Sequence, residues 1–203
     1  FSLFGKKYTW ETDQTGAVGR FSTESMAQLL AELPEAYPVF EEAYRNSKNL
    51  ADATRAITHA LFGEYGLVSI DGDDKLLKRA MIPVVEQELT DQLSNRLVEE
   101  TSAQLEELGY KPQVYSREIN LFYLTDTLRE RIVQEGGKYK VLNTDLSYTL
   151  EELQQEAQEH PERFSPNVIL RPLYEELILP NLAYIGGGAE VAYWFQLKEL
   201  FAK

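Results

Sequence analysis

The sequence predicts an α/β fold with a parallel sheet, and three stretches of the chain carry this prediction. The run GLVSI at 66–70 is apolar and β-branched and stops at a cluster of Asp and Gly, as a buried strand does. A helical pattern follows, with apolar residues three or four apart as far as Leu108. Gly109 closes this helix and PQVY begins the next extended segment. Strand, long crossover and strand make a βαβ unit with a right-handed connection.

The part of the chain before this unit is predicted to be a ribbon followed by helices. Residues 6–21 alternate in character and contain DQTG, which favours a short hairpin or an irregular ribbon. The predicted helices run from Ser22 or Thr23 to Leu33, from Pro38 to about Tyr44, and from Leu50 to about Phe62 with Asn49 as the cap. We therefore divide the chain into residues 1–65, a ribbon with a helical connecting segment, and residues 66–203, the sheet-containing part.

The part after the unit continues the mixed pattern. Gly136 and Gly137 separate two extended arms and predict a type I′ hairpin. Thr149 leads into a helix with Glu in its first turn, as the helix dipole favours. Residues 166–179 are typical of a mostly buried helix interrupted by Pro172. The run NLAYI at 181–185 then predicts a strand, followed by three glycines and a helix from about Ala189 to Phe201.

The composition excludes several classes of site. The 203 residues contain no cysteine and two histidines, which excludes disulfides, a thiolate nucleophile and a histidine-rich metal site. The net charge of -13 argues against general nucleic-acid binding, because a phosphate backbone would be repelled. No apolar run is long enough to cross a bilayer. We expect a cytoplasmic protein that binds neither nucleic acid nor membrane, and the absence of an initiator Met suggests a piece of a longer protein.

The glycine triplet Gly186, Gly187 and Gly188 allows three interpretations. A phosphate cradle of the dinucleotide type would need Gly or Ala at the sixth position counted from Gly186, where the chain has Val191. A second possibility is a turn that lets helix and strand pack closely. The third is a polar substrate site in which backbone N–H groups bind a carboxylate or a sugar while Glu190 accepts a hydrogen bond from a hydroxyl or amine.

The carboxylates after the predicted strand at 66–70 also allow two interpretations. Asp71, Asp73 and Asp74 stand where open α/β sheets bind ligands, and three carboxylates could hold Mg²⁺ with its waters. Alternatively, Asp71 or Asp73 caps the helix that begins nearby.

Two arginines are candidates for binding a carboxylate or a phosphate. In SREINLFY, Arg117 lies on one face of an extended segment and Glu118 and Asn120 on the other, although Arg117 can equally form a surface ion pair. Arg171 lies within the apolar run ILRPL, where a guanidinium must find a partner or a ligand.

Several of these stretches together resemble a known family. GLVSIDGDD, SREINLFY, GGKYKVLNTD, ERFSPNVILRPLYEELILPNLAYIGG and AEVAYWFQLK are similar to the central region of the bacillithiol biosynthesis cysteine-adding enzyme family, BshC, and LFGKKYTWETDQTGAVGR also resembles it. The similarity covers essentially the whole chain. Members of the family are more than twice this length, so we expect a middle portion of such a protein.

The resemblance implies a fold and a reaction. The fold is a Rossmann-like parallel sheet core with inserted helical segments and the β-hairpin. The reaction is that of a cysteine ligase, which joins cysteine to glucosaminyl malate through an amide bond in the last step of bacillithiol biosynthesis. Because a carboxylate does not form an amide unaided in water, the resemblance implies an activated acyl donor, for which ATP with Mg²⁺ is the candidate cofactor. It also implies a homodimer built through a C-terminal coiled coil.

The chain departs from the family pattern in two respects. The family's Gly-His-Gln and Glu-Asp-His-Asp motifs are absent from it, as is the coiled-coil region, so we expect this chain alone to be inactive. The family often has Gly-Pro-Gly-Glu after the first glycines, whereas this chain has Gly188, Ala189 and Glu190.

The sequence thus predicts a polar pocket whose wall runs from Tyr184 to Glu190. Glu190 and Arg171 are the predicted catalytic residues, and no metal ligand is assigned. The predicted substrate-binding residues are Arg117, Asn120, Asp71, Asp73, Tyr184, Gly186, Gly187 and Gly188. Two other functions stay open, namely a nucleotide-binding transferase core with another substrate and a non-catalytic acidic module that binds a protein.

Overall fold

The computed structural model describes residues 2–3, 6–7, 9–26, 29–30, 38–179 and 181–203, with the backbone alone at 2–3 and 6–7. The α-helices among them are α1 (Pro38–Asn46), α2 (Leu50–Phe62), α3 (Lys75–Arg79), α4 (Ile82–Asp91), α5 (Leu93–Glu107), α6 (Leu150–Glu159), α7 (Arg171–Ile178), α8 (Gly188–Trp194) and α9 (Lys198–Phe201). The strands are β1 (Ser2–Leu3), β2 (Lys6–Lys7), β3 (Leu121–Leu124), β4 (Arg129–Glu135), β5 (Lys138–Val141), β6 (Ser147–Tyr148) and β7 (Phe164–Pro166).

The chain forms two compact units, one of residues 1–72 with 125–129 and the other of residues 73–124 with 130–203. The predicted domain boundary between residues 65 and 66 stays a prediction.

The first unit is built on a small helical core. A cluster of buried Met26, Leu29 and Leu30 packs against Trp10, Tyr44 and Leu50. The predicted helix from Ser22 or Thr23 to Leu33 falls partly outside the described residues, but its apolar face is buried where it is described. The prediction for α2 is confirmed, because Asn49 Oδ1 accepts a hydrogen bond of 2.8 Å from the Asp52 N–H.

The predicted ribbon over 6–21 takes a different form. Ser2 pairs with Lys7 and Leu3 with Lys6 in a two-stranded antiparallel ribbon, and residues 9–17 are irregular. Gly16 has φ +102, and a Cβ there would lie 2.9 Å from the carbonyl carbon of Thr127. This glycine therefore permits a close backbone approach that any side chain would prevent.

The second unit is built on a five-stranded sheet with the order β6-β5-β4-β3-β7. The pairs β3–β7, β4–β5 and β5–β6 are antiparallel. The predicted hairpin is confirmed, since Gly136 and Gly137 have φ 61 and 77 and join β4 to β5. The predicted helix after Thr149 is α6, which begins with a capping box formed by Thr149 and Glu152. Leu153 and Ala157 of this helix are buried.

A parallel sheet is not formed by the described residues. The predicted strands at 66–70 and 112–115 are irregular, as is the run at 181–185. Leu67, Val68 and Ile70 are exposed. The five strands come instead from residues 121–166, where short connections such as the Gly136–Gly137 turn favour antiparallel pairing, because parallel pairing needs a crossover of a dozen or more residues.

The long helix predicted to end at Leu108 is divided into α3, α4 and α5. Gln92 has φ 48, a left-handed conformation that separates α4 from α5. The apolar face is buried as predicted at Val85, Leu89 and Leu97. Pro83 lies in the first turn of α4 and Gly109, with φ 89, follows the last turn of α5, which confirms both predictions. Pro172 likewise begins α7 rather than interrupting a helix.

Candidate functional site

The glycine bend, defined as residues 186–188, is partly packed and partly open. A Cβ on Gly186 would lie 2.7 Å from Tyr184 Cε1 and 3.2 Å from Val191 Cγ2. A Cβ on Gly187 or Gly188 would meet nothing within 4 Å. Gly186 therefore serves close packing, whereas the other two glycines leave space in which a ligand could approach the backbone.

Aromatic rings hold the bend against the last helices. The ring of Tyr184 stacks on that of Trp194 with centroids 3.9 Å apart and planes at 21°. Trp194 in turn contacts Phe201, with centroids 5.1 Å apart. These contacts fix Tyr184 relative to α8, the helix that begins at Gly188 and carries Glu190 in its first turn.

Glu190 is held between two tyrosines. The hydroxyl of Tyr193 donates to Glu190 Oε1 over 3.3 Å, and the hydroxyl of Tyr184 also interacts with this carboxylate. Burial, and then the interaction with Glu190, raise the pKa of Tyr184 above its usual value. The phenols therefore stay protonated at neutral pH and act as hydrogen-bond donors that orient the carboxylate.

Arg171 and Glu175, on α7, lie near enough to act on this group electrostatically. The pKa of Tyr193 is raised by burial, and the positive charge of Arg171 partly offsets that increase. The pKa of Glu175 is raised by burial and then by the negative charges of Glu176 and Glu190. The structure therefore places two predicted site residues, Tyr184 and Glu190, beside each other, and the charge of a third, Arg171, acts on the neighbouring Tyr193. The sequence argument did not find Tyr193 and Glu175.

Asn120 lies in a buried hydrogen-bond network and is 0% exposed. Its backbone N–H and its side-chain amide donate to Glu88 Oε1 over 2.8 and 3.2 Å, and the amide donates to Ser94 Oγ over 2.7 Å. Ser94 donates to both oxygens of Glu88, through its N–H over 2.9 Å and its hydroxyl over 2.7 Å. Asn120 thus satisfies a buried carboxylate, and its predicted contact with substrate stays a prediction.

The same network supports the beginning of α7. Asn120 Oδ1 accepts hydrogen bonds from Asn167 Nδ2 over 2.8 Å and from the Arg117 N–H over 3.0 Å. Asn167 Oδ1 accepts from the Ile169 N–H over 2.8 Å, and its carbonyl accepts from the Arg171 N–H over 2.9 Å. Asn120 therefore links the loop that carries Arg117, whose side chain is exposed, to the helix start that positions Arg171.

The predicted carboxylates after residue 70 have structural contacts. Asp71 belongs to the first unit and is half-buried. In the second unit, Asp73 forms an ion pair with the ammonium of Lys78, which is buried and also donates to the carbonyl of Glu162 over 3.1 Å. The helix cap is Asp74, whose Oδ1 accepts from the N–H of Leu76 over 2.7 Å, because it directly precedes α3. The predicted capping by Asp71 or Asp73 is therefore wrong.

Within the part of the chain that the structure describes, no three or more His, Asp or Glu side chains are grouped so that they could hold a metal ion. None of the described helices combines the length and the apolar character needed to span a membrane.

Gln196 is a buried polar residue that sequence reasoning missed. Its side-chain Oε1 accepts hydrogen bonds from the N–H groups of Gln113 and Val114 over 2.7 and 3.1 Å. Its Nε2 donates to the Val114 carbonyl over 2.9 Å and to Ser102 Oγ over 2.8 Å. The Gln196 side chain therefore satisfies backbone groups of residues 112–115, as a neighbouring strand would do for an extended segment. Through Ser102 it also connects the C-terminal helices to α5.

The sequence of the whole chain matches a known protein family. Residues 1–203 match the family model described as "Bacillithiol biosynthesis BshC, N-terminal Rossmann-like domain". Curated relatives carry the name "Putative cysteine ligase BshC". The relative from Cytophaga hutchinsonii is 52% identical over 202 residues, which cover 100% of this chain and 39% of the relative.

Two more relatives show the same pattern of coverage. The relative from Flavobacterium johnsoniae is 51% identical over 211 residues, or 99% of this chain and 40% of the relative. The relative from Bacillus pumilus is 39% identical over 162 residues, or 77% of this chain and 30% of the relative. The chain therefore spans well under half the length of the curated relatives that it matches.

Proposed function

The chain belongs to the BshC family of bacillithiol biosynthesis proteins, and we propose that it supplies part of the substrate site of a ligase that joins cysteine to glucosaminyl malate. The family membership does not favour a transferase core with another substrate or a non-catalytic protein-binding module. The observation that carries the proposal is the grouping of Glu190, two tyrosines and Arg171 beside an open glycine bend.

The groups around the bend match the charges of the two reacting partners. An amine or ammonium is a hydrogen-bond donor and suits the carboxylate of Glu190, with the neighbouring carboxylate of Glu175 adding to the attraction. A carboxylate suits the guanidinium of Arg171, which is exposed at the start of α7. In this proposal Glu190 holds and orients the amine, and Arg171 holds a carboxylate of one substrate.

The reaction forms a C–N bond between the activated acyl carbon of cysteine and the sugar nitrogen. The acyl C–O bond breaks, its oxygen leaves with the activating group, and the nitrogen loses a proton to water. Bringing the two groups together in the correct orientation lowers the barrier without any new chemistry. We assign binding and orientation to Glu190, Arg171 and Tyr184, and we assign the binding of anionic oxygens to the N–H groups of Gly187 and Gly188, where the bend is open. Activation of the carboxylate is assigned to none of these residues.

The remaining predicted residues are assigned other roles. Arg117 is exposed on a loop linked to the start of α7 through Asn120, which supports a role for its guanidinium in binding a second anionic group. Asp73 is already paired with Lys78, and Asn120 is buried, so we propose that they position their neighbours rather than touch substrate. A contact of Asp71 with a sugar hydroxyl also stays a proposal.

We further propose that the whole protein contains a parallel Rossmann-like sheet and acts as a cytoplasmic homodimer that dimerises through a coiled coil. The family description supports the Rossmann-like part of this statement. The dimer and the coiled coil rest on the sequence resemblance.

The proposal is tested by measuring product formation with a longer protein that contains this chain and has the length of the matched relatives. We expect Glu190→Gln to reduce the rate at least about tenfold, because the charge that holds the amine is lost. Arg171→Ala should have a similar effect, mainly by raising KM for the substrate whose carboxylate it binds.

Matched controls come from the same unit. Glu199→Gln and Arg79→Ala change a carboxylate and a guanidinium that are at the surface and away from the bend in sequence. They should leave the rate unchanged. Turnover at the wild-type rate in both Glu190→Gln and Arg171→Ala would remove these residues from the site.

A further inference from the structure

Four large apolar side chains around the glycine bend are exposed to solvent. Leu182 is 103% exposed and Ile185 97%, relative to the fully accessible residue. Phe195 is 64% exposed and Val191 43%. Single exposed apolar residues are ordinary on protein surfaces, but four within fifteen residues of chain are typical of a surface that another polypeptide covers.

The four side chains form two groups, one before and one after Gly186 in the chain. Leu182 and Ile185 lie in the extended segment before the bend, and Val191 and Phe195 are four residues apart in the helical segment after it, on one helix face. Val191 approaches Gly186 closely, since a Cβ on this glycine would be 3.2 Å from Val191 Cγ2. We refer to the segment 181–195 with these four side chains as the bend surface.

The backbone of the bend surface points to strand pairing. The run NLAYI has the continuous apolar character of a strand that is buried on both faces, as strands of parallel sheets are. In the described structure, residues 181–187 belong to no strand. An apolar extended segment without a partner strand leaves both its side chains and its backbone groups to water, which is costly for the side chains.

The comparisons indicate what could supply the partner. The matched relatives are much longer than this chain, which covers 39% of one and 40% of another. The matched family domain is described as Rossmann-like, a fold built on parallel strands, whereas the sheet pairs identified in this chain are antiparallel. The parallel strands must therefore involve segments that are not paired in this structure.

We infer that residues 181–186 form a strand of a sheet completed by the additional polypeptide that the relatives carry, and that Leu182, Ile185, Val191 and Phe195 pack against this polypeptide. The strand then ends at the glycine bend, which places Glu190 just beyond the carboxyl end of a strand. Open α/β sheets bind ligands at this position. The inference stands whether or not Glu190 binds an amine.

The inference is tested by comparing amide hydrogen exchange in the present chain with that in a longer protein that contains it and has the length of the relatives. We expect the amides of residues 182–186 to exchange about 100-fold or more slowly than in the present chain, because strand pairing removes them from water. The turn at Gly136 and Gly137 lies in a hairpin that is complete in this chain, so its exchange should be the same in both proteins. Equal, fast exchange of residues 182–186 in the two proteins would overturn the inference.

Substitutions provide a second readout. Leu182→Lys and Ile185→Lys should leave the melting temperature of the present chain nearly unchanged, because both side chains are already in water. In the longer protein each should lower the melting temperature by several degrees. Light scattering could instead show that the present chain is a dimer and that Leu182→Lys dissociates it. In that case a second copy of the chain would cover the bend surface, and the inference would be contradicted.

Discussion

Two regions of the second unit each hold a glutamate with a tyrosine hydroxyl, but they satisfy the carboxylate differently. In the sheet region, the hydroxyl of Tyr123 donates to Glu156 over 2.6 Å and Arg163 contacts the same oxygen over 2.5 Å. At the glycine bend, Tyr193 and Tyr184 contact Glu190, and Arg171 acts on Tyr193 only through its charge. The first carboxylate has its cation within the fold, whereas we propose that the second accepts a cation from a ligand.

The pKa values follow the same division. Burial alone would raise the pKa of Glu156, but hydrogen bonds from Tyr123 and Arg163 outweigh burial and lower it. Burial and the bond to Glu156 raise the pKa of Tyr123. This cluster joins α6 to the sheet as a structural element. The contacts of Glu156 give it a role in stabilising the fold, and they differ from those of Glu190, for which we propose a role in binding.

The largest expected difference is in the free energy of unfolding that is lost when an apolar side chain of each region is shortened. Leu153 of α6 is 0% exposed, and Leu153→Ala should lower the free energy of unfolding by about 3 kcal/mol through lost burial and a cavity. Leu182→Ala, at the bend surface, should change it by less than about 0.5 kcal/mol in the present chain. Urea unfolding measures both, and similar losses would show that Leu182 is packed within this chain.

The next difference concerns the two glutamates. Glu156→Gln removes the charge paired with Arg163 and should lower the free energy of unfolding by about 2 kcal/mol. Glu190→Gln should lower it by less than about 0.5 kcal/mol, because its carboxylate has no such role in the fold. The comparison fails if thermal or urea unfolding finds Glu190→Gln to be the more destabilised variant.

The local features of both regions could be predicted from sequence because each depends on neighbours in the chain. The Gly136–Gly137 hairpin, the Thr149 capping box and the Asn49 cap involve residues at most a few positions apart. The buried networks could not be predicted in this way. Gln196 contacts Ser102 across 94 positions and Asn120 contacts Glu88 across 32.

Predicted strands failed for a related reason. Residues 66–70, 112–115 and 181–185 have the composition of strands, but pairing depends on a partner that composition does not specify. In the candidate site, sequence reasoning found Glu190, Tyr184 and Arg171 individually. It could not show that α7 brings Glu175 towards them, because that depends on how the helices pack.

A smaller effect should separate two glycines of the bend. Gly186→Ala should lower the free energy of unfolding by about 1.5 kcal/mol, because the new Cβ overlaps Tyr184 and must displace its ring from Trp194. Gly188→Ala places a methyl group in open space at the first residue of α8 and should cause no loss. Near-ultraviolet circular dichroism should report the moved rings in the first variant only.

The smallest effect is a pH dependence carried by Glu162, next to the sheet. Burial would raise its pKa, but a backbone N–H, Lys75 and His160 donate to it and lower the pKa to about 2. Because the folded pKa lies below the unfolded value of about 4.3, its stabilisation is complete above that pH and is lost as the pH falls towards 2. Wild type should lose about 1 kcal/mol more than Glu162→Gln between pH 6 and pH 3, after allowance for the partial exposure of this side chain. Identical pH profiles would show that Glu162 contributes nothing.

The central claim is that the carboxylate of Glu190, between its two tyrosines, binds the amine of a substrate. Calorimetric titration of the protein at the length of its relatives with glucosaminyl malate, compared with its Glu190→Gln and Glu199→Gln variants, tests this claim directly. We predict that Glu190→Gln weakens binding by about tenfold or more, while Glu199→Gln leaves it unchanged. Equal affinity of the wild type and Glu190→Gln would contradict the account.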